Sequence, residues 1–271
     1  MFGGLGRGID IRLVSNRIFA GGFLVFLAGF IALAAFGDRL TYAEAVTSAI
    51  SVAIAWMIGR ELDPDHVHVA TLAMVLAGAA VFVDVPNALI TGAAMLTLRM
   101  TTGTVGRFLT ASDLLLVAIV GFGSGGEIWA WPIGIFALVW LKEAPEVGPL
   151  RWWAVGVLAV SFVGAFYLAD LDVITVSTET LALAGAVAVV AAVSIIRVST
   201  VSPTDRSGGH LDNRRLRMSR LAAGTYLIVA AVVGGTEAFW DIAPIAAGLG
   251  TAALASIVLV VRGVHRPTVT N

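Results

Sequence analysis

The sequence contains no cysteine and few charged residues, and each absence excludes part of protein chemistry. Without thiols the chain forms no disulfide, no thiolate metal site and no cysteine nucleophile. Charged residues make up 13% of the chain, against roughly 25% in a typical globular domain. Hydrophobic residues reach 58%, in apolar runs that recur along the whole length. We therefore expect most of the chain to lie in lipid.

The motifs of several enzyme classes are absent as well. The chain has no His-Glu-x-x-His zinc motif, no Gly-x-Ser-x-Gly nucleophile turn and no paired Asp-rich motif for a prenyl diphosphate. The glycine-rich stretch 121–127, GFGSGGE, lacks both the Lys-Ser/Thr ending of a phosphate loop and a preceding strand. The formal net charge of −1 does not indicate a partner, because the charges are segregated along the chain. We expect no nucleic-acid partner.

Ten apolar segments have the composition of membrane-spanning helices. Crossing a hydrocarbon core takes about 20 helical residues, and fewer where polar ends reach the headgroups. The two shortest, 86–98 and 111–123, are alternatively re-entrant helices. The sequence predicts an all-α integral membrane protein, a bundle of about ten transmembrane helices in a single polytopic domain over 1–271. The predicted spans are 18–36, 43–59, 67–83, 86–98, 111–123, 127–141, 152–169, 179–196, 221–239 and 242–261.

Basic residues favour ten crossings, with the N- and C-termini both cytoplasmic. Lys and Arg accumulate in short cytoplasmic loops, and with ten spans sixteen of the seventeen fall on that side, all but Arg39. If 86–98 and 111–123 did not cross, Arg99 and Arg107 would move outside and the split would weaken. Arginine greatly outnumbers lysine, which is typical of a prokaryotic coding bias. We expect a multi-pass protein of a prokaryotic cytoplasmic (inner) membrane.

The longest predicted segment outside the membrane is the cytoplasmic loop 198–219, which ends in a basic cluster. Arginines beside a membrane attract anionic lipid headgroups. The alternative is that the cluster docks a protein partner or an anionic substrate, and a homo-oligomer also stays open. The arginines expected to contact headgroups are Arg206, Arg214, Arg215, Arg217 and Arg220.

The stretch 59–70, GRELDPDHVHVA, concentrates carboxylates and imidazoles between two predicted spans. Asp63 followed by Pro64 predicts a helix start, with Asp63 as the N-cap and Pro64 at the first helical position. A cap does not account for the neighbouring acid and histidines. Mixed carboxylate and imidazole ligands suit a divalent metal such as Zn²⁺ or Mn²⁺. The candidate polar or metal cluster is Glu61, Asp65, His66 and His68.

Inside the predicted spans the polar residues are mostly hydroxyls. Ionisable residues near the middle of a membrane are costly and usually functional, and here they lie toward the ends of the spans, which argues against a proton pump. Three glutamates, Glu44, Glu127 and Glu237, fall near the outer ends and form a candidate outer vestibule. The hydroxyls predicted to pack helices or line a solute path are Thr47, Ser48, Ser51, Thr91, Ser161, Ser194, Thr225, Tyr226 and Thr251.

These features support three functional hypotheses. The leading one is a permease or transporter-like protein for a small neutral or organic solute, because many spans carry hydroxyls and no catalytic domain is evident. The first alternative is a membrane-embedded enzyme acting on a lipid substrate, with a cytoplasmic-face metal or acid/base site at 61–68. The second is a non-catalytic membrane subunit of a larger complex, which would use the basic segment 206–220 to hold a partner.

Overall fold

The computed structural model describes 11–104, 110–123, 176–198, 200 and 211–261, together with isolated positions between 152 and 163. Several predictions fall outside these residues. They are the span 127–141, most of the span 152–169, Glu127 and Arg206.

The described residues form nine α-helices and no strand. A π-helical turn, Ala230–Gly234, joins the helix Asn213–Val229 to the helix Gly235–Asp241. Most of the predicted spans in the described part overlap one helix each. The predicted span 221–239 runs from the first of these two helices through the π-turn into the second. The helices are α1 Val14–Phe36, α2 Tyr42–Leu62, α3 Val67–Ala80, α4 Ala88–Thr102, α5 Ala111–Gly123, α6 Thr178–Ile196, α7 Asn213–Val229, α8 Gly235–Asp241 and α9 Ala243–Val261.

Five helical segments are long and apolar enough to cross a membrane. They are α1, α2, α6, the continuous segment from α7 to α8, and α9, while α3 is a shorter apolar helix. Helix α1 is hardly buried against the rest of the protein, as expected for a helix whose surface faces lipid. For the described residues the prediction of an all-α membrane protein is therefore confirmed at the level of helical class and membrane-capable helices.

Side-chain caps start several of these helices. Thr41 and Glu44 form a capping box at the start of α2, in which each side chain bonds the backbone N–H of the other. Asn87 accepts from the N–H groups of Leu89 and Ile90 at the start of α4. At its other end α4 stops at Gly103, whose φ of 66° is the left-handed conformation typical of a glycine after a helix.

The predicted loop 198–219 differs from the structure in its last part. Helix α7 begins at Asn213, after Asp212 caps it by accepting from the Arg214 N–H at 2.8 Å. Three of the predicted loop's arginines, Arg214, Arg215 and Arg217, therefore lie on this helix, and Arg215 is buried with Leu216 and Ser219. Hydropathy predicts a loop outside the membrane here because each arginine lowers the mean hydropathy of the segment. The average does not register that a buried arginine can find hydrogen-bond partners within the protein.

Helix α2 is central and packs on α1, α3, α4 and α9. One apolar cluster lies between α1, α2 and α3, and a second lies among α2, α4 and the helices from α6 onward. The contact of α2 with its neighbours is close because small residues face each other: a Cβ at Gly59 would lie 2.8 Å from the Ala70 Cα. Small residues commonly permit such approach between membrane helices.

Contacts along the bundle show which helix ends lie together. Phe19 near the start of α1 packs on Trp56 in the second half of α2, with ring centroids 4.9 Å apart. Arg197 after α6 donates to the Leu259 carbonyl near the end of α9 at 3.0 Å. Arg220 links the ends of α2, α6 and α9, so the start of α1 and the end of α9 lie at one end of the bundle. We call it the arginine end, and the opposite end, where α2 starts, the Glu44 end.

Candidate functional site

A buried ion pair joins the ends of α2 and α4. Arg99 Nε donates to Glu61 Oε1 at 2.8 Å, and the side chains are 6% and 0% exposed. Thr102 donates to the other carboxylate oxygen at 3.0 Å, and Thr104 donates to the same oxygen. Glu61 is therefore satisfied by three donors from one neighbouring segment. A buried charge requires such compensation, since taking it out of water without partners is very costly.

A second arginine binds the end of α4 from α7. Arg215 is 5% exposed, and its Nε donates to the Thr101 carbonyl at 3.2 Å. Its guanidinium lies against Gly103, where a Cβ would come within 2.5 Å of Nη1. The last carbonyls of a helix have no partner within the helix and carry partial negative charge. Arg215 supplies both the donor and the opposite charge, and the glycine leaves room for it.

A third arginine joins three other helices. Arg220, 3% exposed, donates from Nε to the Leu62 carbonyl at the end of α2, at 2.8 Å. Its Nη1 donates to the Ser194 carbonyl near the end of α6, and to the Ser256 hydroxyl of α9 at 3.1 Å. One guanidinium on α7 thus holds α2, α6 and α9 together. We refer to Glu61, Arg99, Arg215 and Arg220 as the buried ionic network.

The sequence alone does not predict this network. From the sequence, Arg99, Arg215 and Arg220 are expected only in cytoplasmic positions, the last two in contact with lipid headgroups. In the structure both are inside the protein, whereas Arg214 and Arg217 are exposed. A usable signal was present, because Arg215, Ser219 and Ala223 lie four residues apart and continue the buried stripe of α7.

The turn after α2 differs from its predicted role. Asp63 does not cap α3, which begins at Val67; it follows α2, and its N–H bonds the Gly59 carbonyl at 2.9 Å. Its carboxylate instead lies 2.9 Å from His66 Nδ1. The prediction of a helix start at Asp63 is therefore wrong. The physical reason is that the carboxylate pairs with an imidazole, and that His66, not Asp63, occupies the N-cap position of α3.

The four residues of the candidate metal cluster point to different partners. Glu61 bonds Arg99, His66 bonds Asp63, and Asp65 accepts from the Thr200 hydroxyl at 2.9 Å. His68 is exposed, with its ring centroid 5.2 Å from that of His66. Among the described residues, no three His, Asp or Glu side chains are placed to hold a metal ion. The geometry therefore gives the metal hypothesis no support in this part of the chain.

The candidate outer vestibule lies partly within the described residues. Glu44 belongs to the capping box of α2, and Glu237 is an exposed residue of α8. A cleft of about 310 Å³ opens beside Glu44 and is lined also by Arg39, Leu40 and Asp84. Its charged groups bond locally: Arg39 donates to the Phe82 carbonyl at 3.4 Å, and Asp84 accepts from the Val85 N–H at 2.8 Å. The cleft is an opening between helices at the Glu44 end.

The membrane-capable segment Asn213–Asp241 is helical throughout, but its regular α-helical geometry is interrupted between α7 and α8. After the π-turn, Gly235 has φ 77° and ψ −166°, a combination essentially restricted to glycine. Ala230 and Ala231 in the π-turn are buried, and α8 packs on α4 and α6. Single π-turns within helices frequently mark functional positions. Discontinuous helices are also a feature of transporter binding sites, because they expose backbone groups inside the bundle.

A polar seam connects this interrupted helix to α4. The Asp241 carbonyl accepts from the Asn87 N–H at 2.9 Å and from the Thr91 hydroxyl at 3.2 Å. Farther along α4, the buried Thr97 hydroxyl donates to the Ala93 carbonyl of its own helix at 3.0 Å, and the fully buried Tyr226 of α7 contributes a further hydroxyl inside the bundle. We call Thr91, Thr97, Tyr226 and the Asp241 carbonyl the α4–α7 seam. It consists of neutral groups.

The other predicted hydroxyls differ in their hydrogen-bond partners. Ser51 donates to the Pro86 carbonyl across to the start of α4, at 3.3 Å. Thr225 and Thr251 bond carbonyls of their own helices, and Ser161 lies outside the described residues. The Ser48 hydroxyl is buried and has no hydrogen-bond partner. Only part of the predicted set therefore connects helices.

Comparisons of the chain with protein-family models, with curated proteins and with solved structures find no match.

Proposed function

We propose that the protein is a multi-pass permease for a small neutral or organic solute. The observation that carries the proposal is the interruption of the α7–α8 segment at Gly234–Gly235, beside the neutral α4–α7 seam. Broken helices inside a bundle offer backbone groups to a solute without the cost of an exposed helix end in lipid. A seam of hydroxyls and carbonyls suits a solute that forms hydrogen bonds and carries no net charge.

The proposal includes ten crossings with both termini in the cytoplasm of a prokaryotic cell. The excess of basic residues on one side supports the orientation. The start of α1 and the end of α9 lie at the same end of the bundle, which agrees with an even number of crossings. The arginine end would then face the cytoplasm, where the exposed Arg214 and Arg217 of α7 are placed to contact anionic headgroups.

The experiment is uptake into liposomes that contain the purified protein. Radiolabelled glycerol, glucose, alanine and uridine are suitable probes, because they are small and carry no net charge. The same compounds are tested for their effect on the melting temperature of the protein in detergent. We expect at least one probe to enter faster than into protein-free liposomes and to raise the melting temperature.

The matched variants are Gly235→Ala, at the helix interruption, and Gly250→Ala, within α9. A Cβ meets no atom within 4 Å at either position, but only Gly235 has a positive φ. Uptake should fall in the first variant and stay near the wild-type rate in the second. If every probe entered at the rate of empty liposomes and none changed the melting temperature, the permease proposal would be wrong.

A further inference from the structure

We propose that the buried ionic network is the closed gate of the permeation pathway at the arginine end. This inference rests on the proposed permease function. In the alternating-access scheme of transporters, a central site is open to one side of the membrane while the other side is closed. Among the described residues, the two ends of this bundle differ in their contacts.

The arginine end is closed by contacts between helices that are far apart in sequence. Arg99 and Glu61 join α4 to α2, and Arg215 joins α7 to α4. Arg220 joins α7 to α2, α6 and α9. The network thus ties the ends of five helices, and all four of its side chains are nearly or completely buried. Opening this end between the described helices would separate these groups.

At the Glu44 end, the described residues form a cleft and no comparable network. The cleft of about 310 Å³ lies there between the turn from α1 to α2 and the segment that follows α3. Its charged residues bond neighbours in their own or an adjacent connection, and among the described residues no buried ion pair crosses it. In the proposed scheme, the described part of the structure corresponds to the state in which the arginine end is closed.

Ionic contacts suit a gate because their cost depends on solvent. When the gate is closed, each buried charge needs its partner, and removing one member leaves the other uncompensated. When the gate is open, water solvates both members, so the loss of one costs little. Neutralising one member must therefore shift the equilibrium toward the open arrangement. The size of the shift is set by the free-energy cost of leaving the other charge buried without a partner.

The lack of cysteine allows the gate to be tested by thiol accessibility. A single cysteine introduced at Ser219 is a suitable reporter, because this buried hydroxyl of α7 lies next to Arg220 and has no hydrogen-bond partner to lose. Ser48→Cys is the matched control, also fully buried and without a partner but in the half of α2 nearer the Glu44 end. Leu40→Cys reports on the cleft. Each variant is reconstituted and labelled with a small hydrophilic thiosulfonate.

The network is then opened by Glu61→Gln. We expect the labelling rate of Ser219→Cys to rise about tenfold or more, since the remaining Arg99 charge disfavours the closed state. The rate of Ser48→Cys should not change, and that of Leu40→Cys should fall as the opposite end closes. Arg99→Gln should act like Glu61→Gln. In the double variant Glu61→Gln/Arg99→Gln, Ser219→Cys should be labelled more slowly than in either single variant. Both charges of the pair are then removed, so no uncompensated charge of this pair is left buried.

Two results would overturn the gate. One is an unchanged rate at Ser219→Cys, with Ala223→Cys, another fully buried position on α7, as a second reporter. The other is a rise at all three cysteines, which indicates that the variant only loosens the fold. Thiol labelling tests the gate and needs no solute, whereas uptake tests the permease. The outcome of the labelling experiment therefore does not depend on whether uptake is found, and the failure of one proposal can be distinguished from the failure of the other.

Discussion

Arg99 Nε lies 2.8 Å from Glu61 Oε1, although the two residues are 38 positions apart in the chain. They meet because α2 ends at Leu62 and α4 ends at Thr102, so that both helices present their last turns at the same end of the bundle. Each helix end carries partial negative charge. The three buried arginines of the network compensate these helix ends as well as the carboxylate.

Glu61→Gln should destabilise the protein by about 3 kcal/mol, because it leaves Arg99 as an uncompensated buried charge. The measurement is the free energy of unfolding by denaturant in detergent micelles. Glu179→Gln is the control, since that carboxylate is exposed at the start of α6, and its loss should change stability by less than about 0.5 kcal/mol. Equal effects of the two variants would contradict the role assigned to the ion pair.

Gly235→Ala should destabilise the protein by about 1–3 kcal/mol, through backbone strain alone. No atom lies within 4 Å of the added Cβ, but the φ of 77° is unfavourable for alanine. Gly250→Ala lies within α9 in equally open space, and there the substitution should be neutral or stabilising by about 0.5 kcal/mol. Thermal unfolding of the two variants side by side measures the difference. A Gly235→Ala protein as stable as Gly250→Ala would show that the interruption is not strained for other residues.

Gly248→Ala should separate α9 from α2. The new Cβ would lie 2.6 Å from Ile58 Cγ2 and 3.4 Å from the Gly59 nitrogen, so the two helices must move apart. Overpacking of this kind costs about 1–3 kcal/mol. Gly29→Ala in α1 meets nothing within 4 Å and is the control. Comparable melting temperatures for the two variants would argue against the close approach of α2 and α9.

Asn87→Ala should cost about 1 kcal/mol through loss of the cap of α4. The Asn87 side chain accepts from the N–H groups of Leu89 and Ile90 at 3.0 and 3.2 Å. Asn87→Asp retains an accepting oxygen and should keep most of the stability. The unfolding free energies of both variants decide the matter, and a loss as large in Asn87→Asp as in Asn87→Ala would exclude the cap as its cause.

The sequence predicted the helical segments well where apolar composition decides them. Segments such as Ala243–Val261 have no other way to bury their backbone groups in lipid than to form a helix, so hydropathy and length suffice. The prediction was poorer where a charged side chain finds its partner inside the protein. The start of α7 was placed in a loop because Arg214, Arg215 and Arg217 look like surface residues, although one of them is buried.

The candidate site shows the same division. Glu61 was selected because a carboxylate is rare in such a chain, yet its partner Arg99 was not, because nothing local relates positions so far apart. Likewise, the sequence of Asp63 and Pro64 is a good helix start by local rules. It is overridden here because His66 holds the Asp63 carboxylate at 2.9 Å.

By itself, the sequence determined that the chain is helical and suited to a membrane, because composition sets the solvent in which its backbone must be satisfied. Only the tertiary structure decided which charges are buried together. The Glu61–Arg99 pair, the arginines on the ends of α2, α4 and α6, and the position of the α7–α8 interruption beside α4 all depend on packing between distant helices. In surroundings of low dielectric constant an unpaired polar group is very costly, so only arrangements that pair these groups are stable. No local pattern in the sequence shows which helices meet.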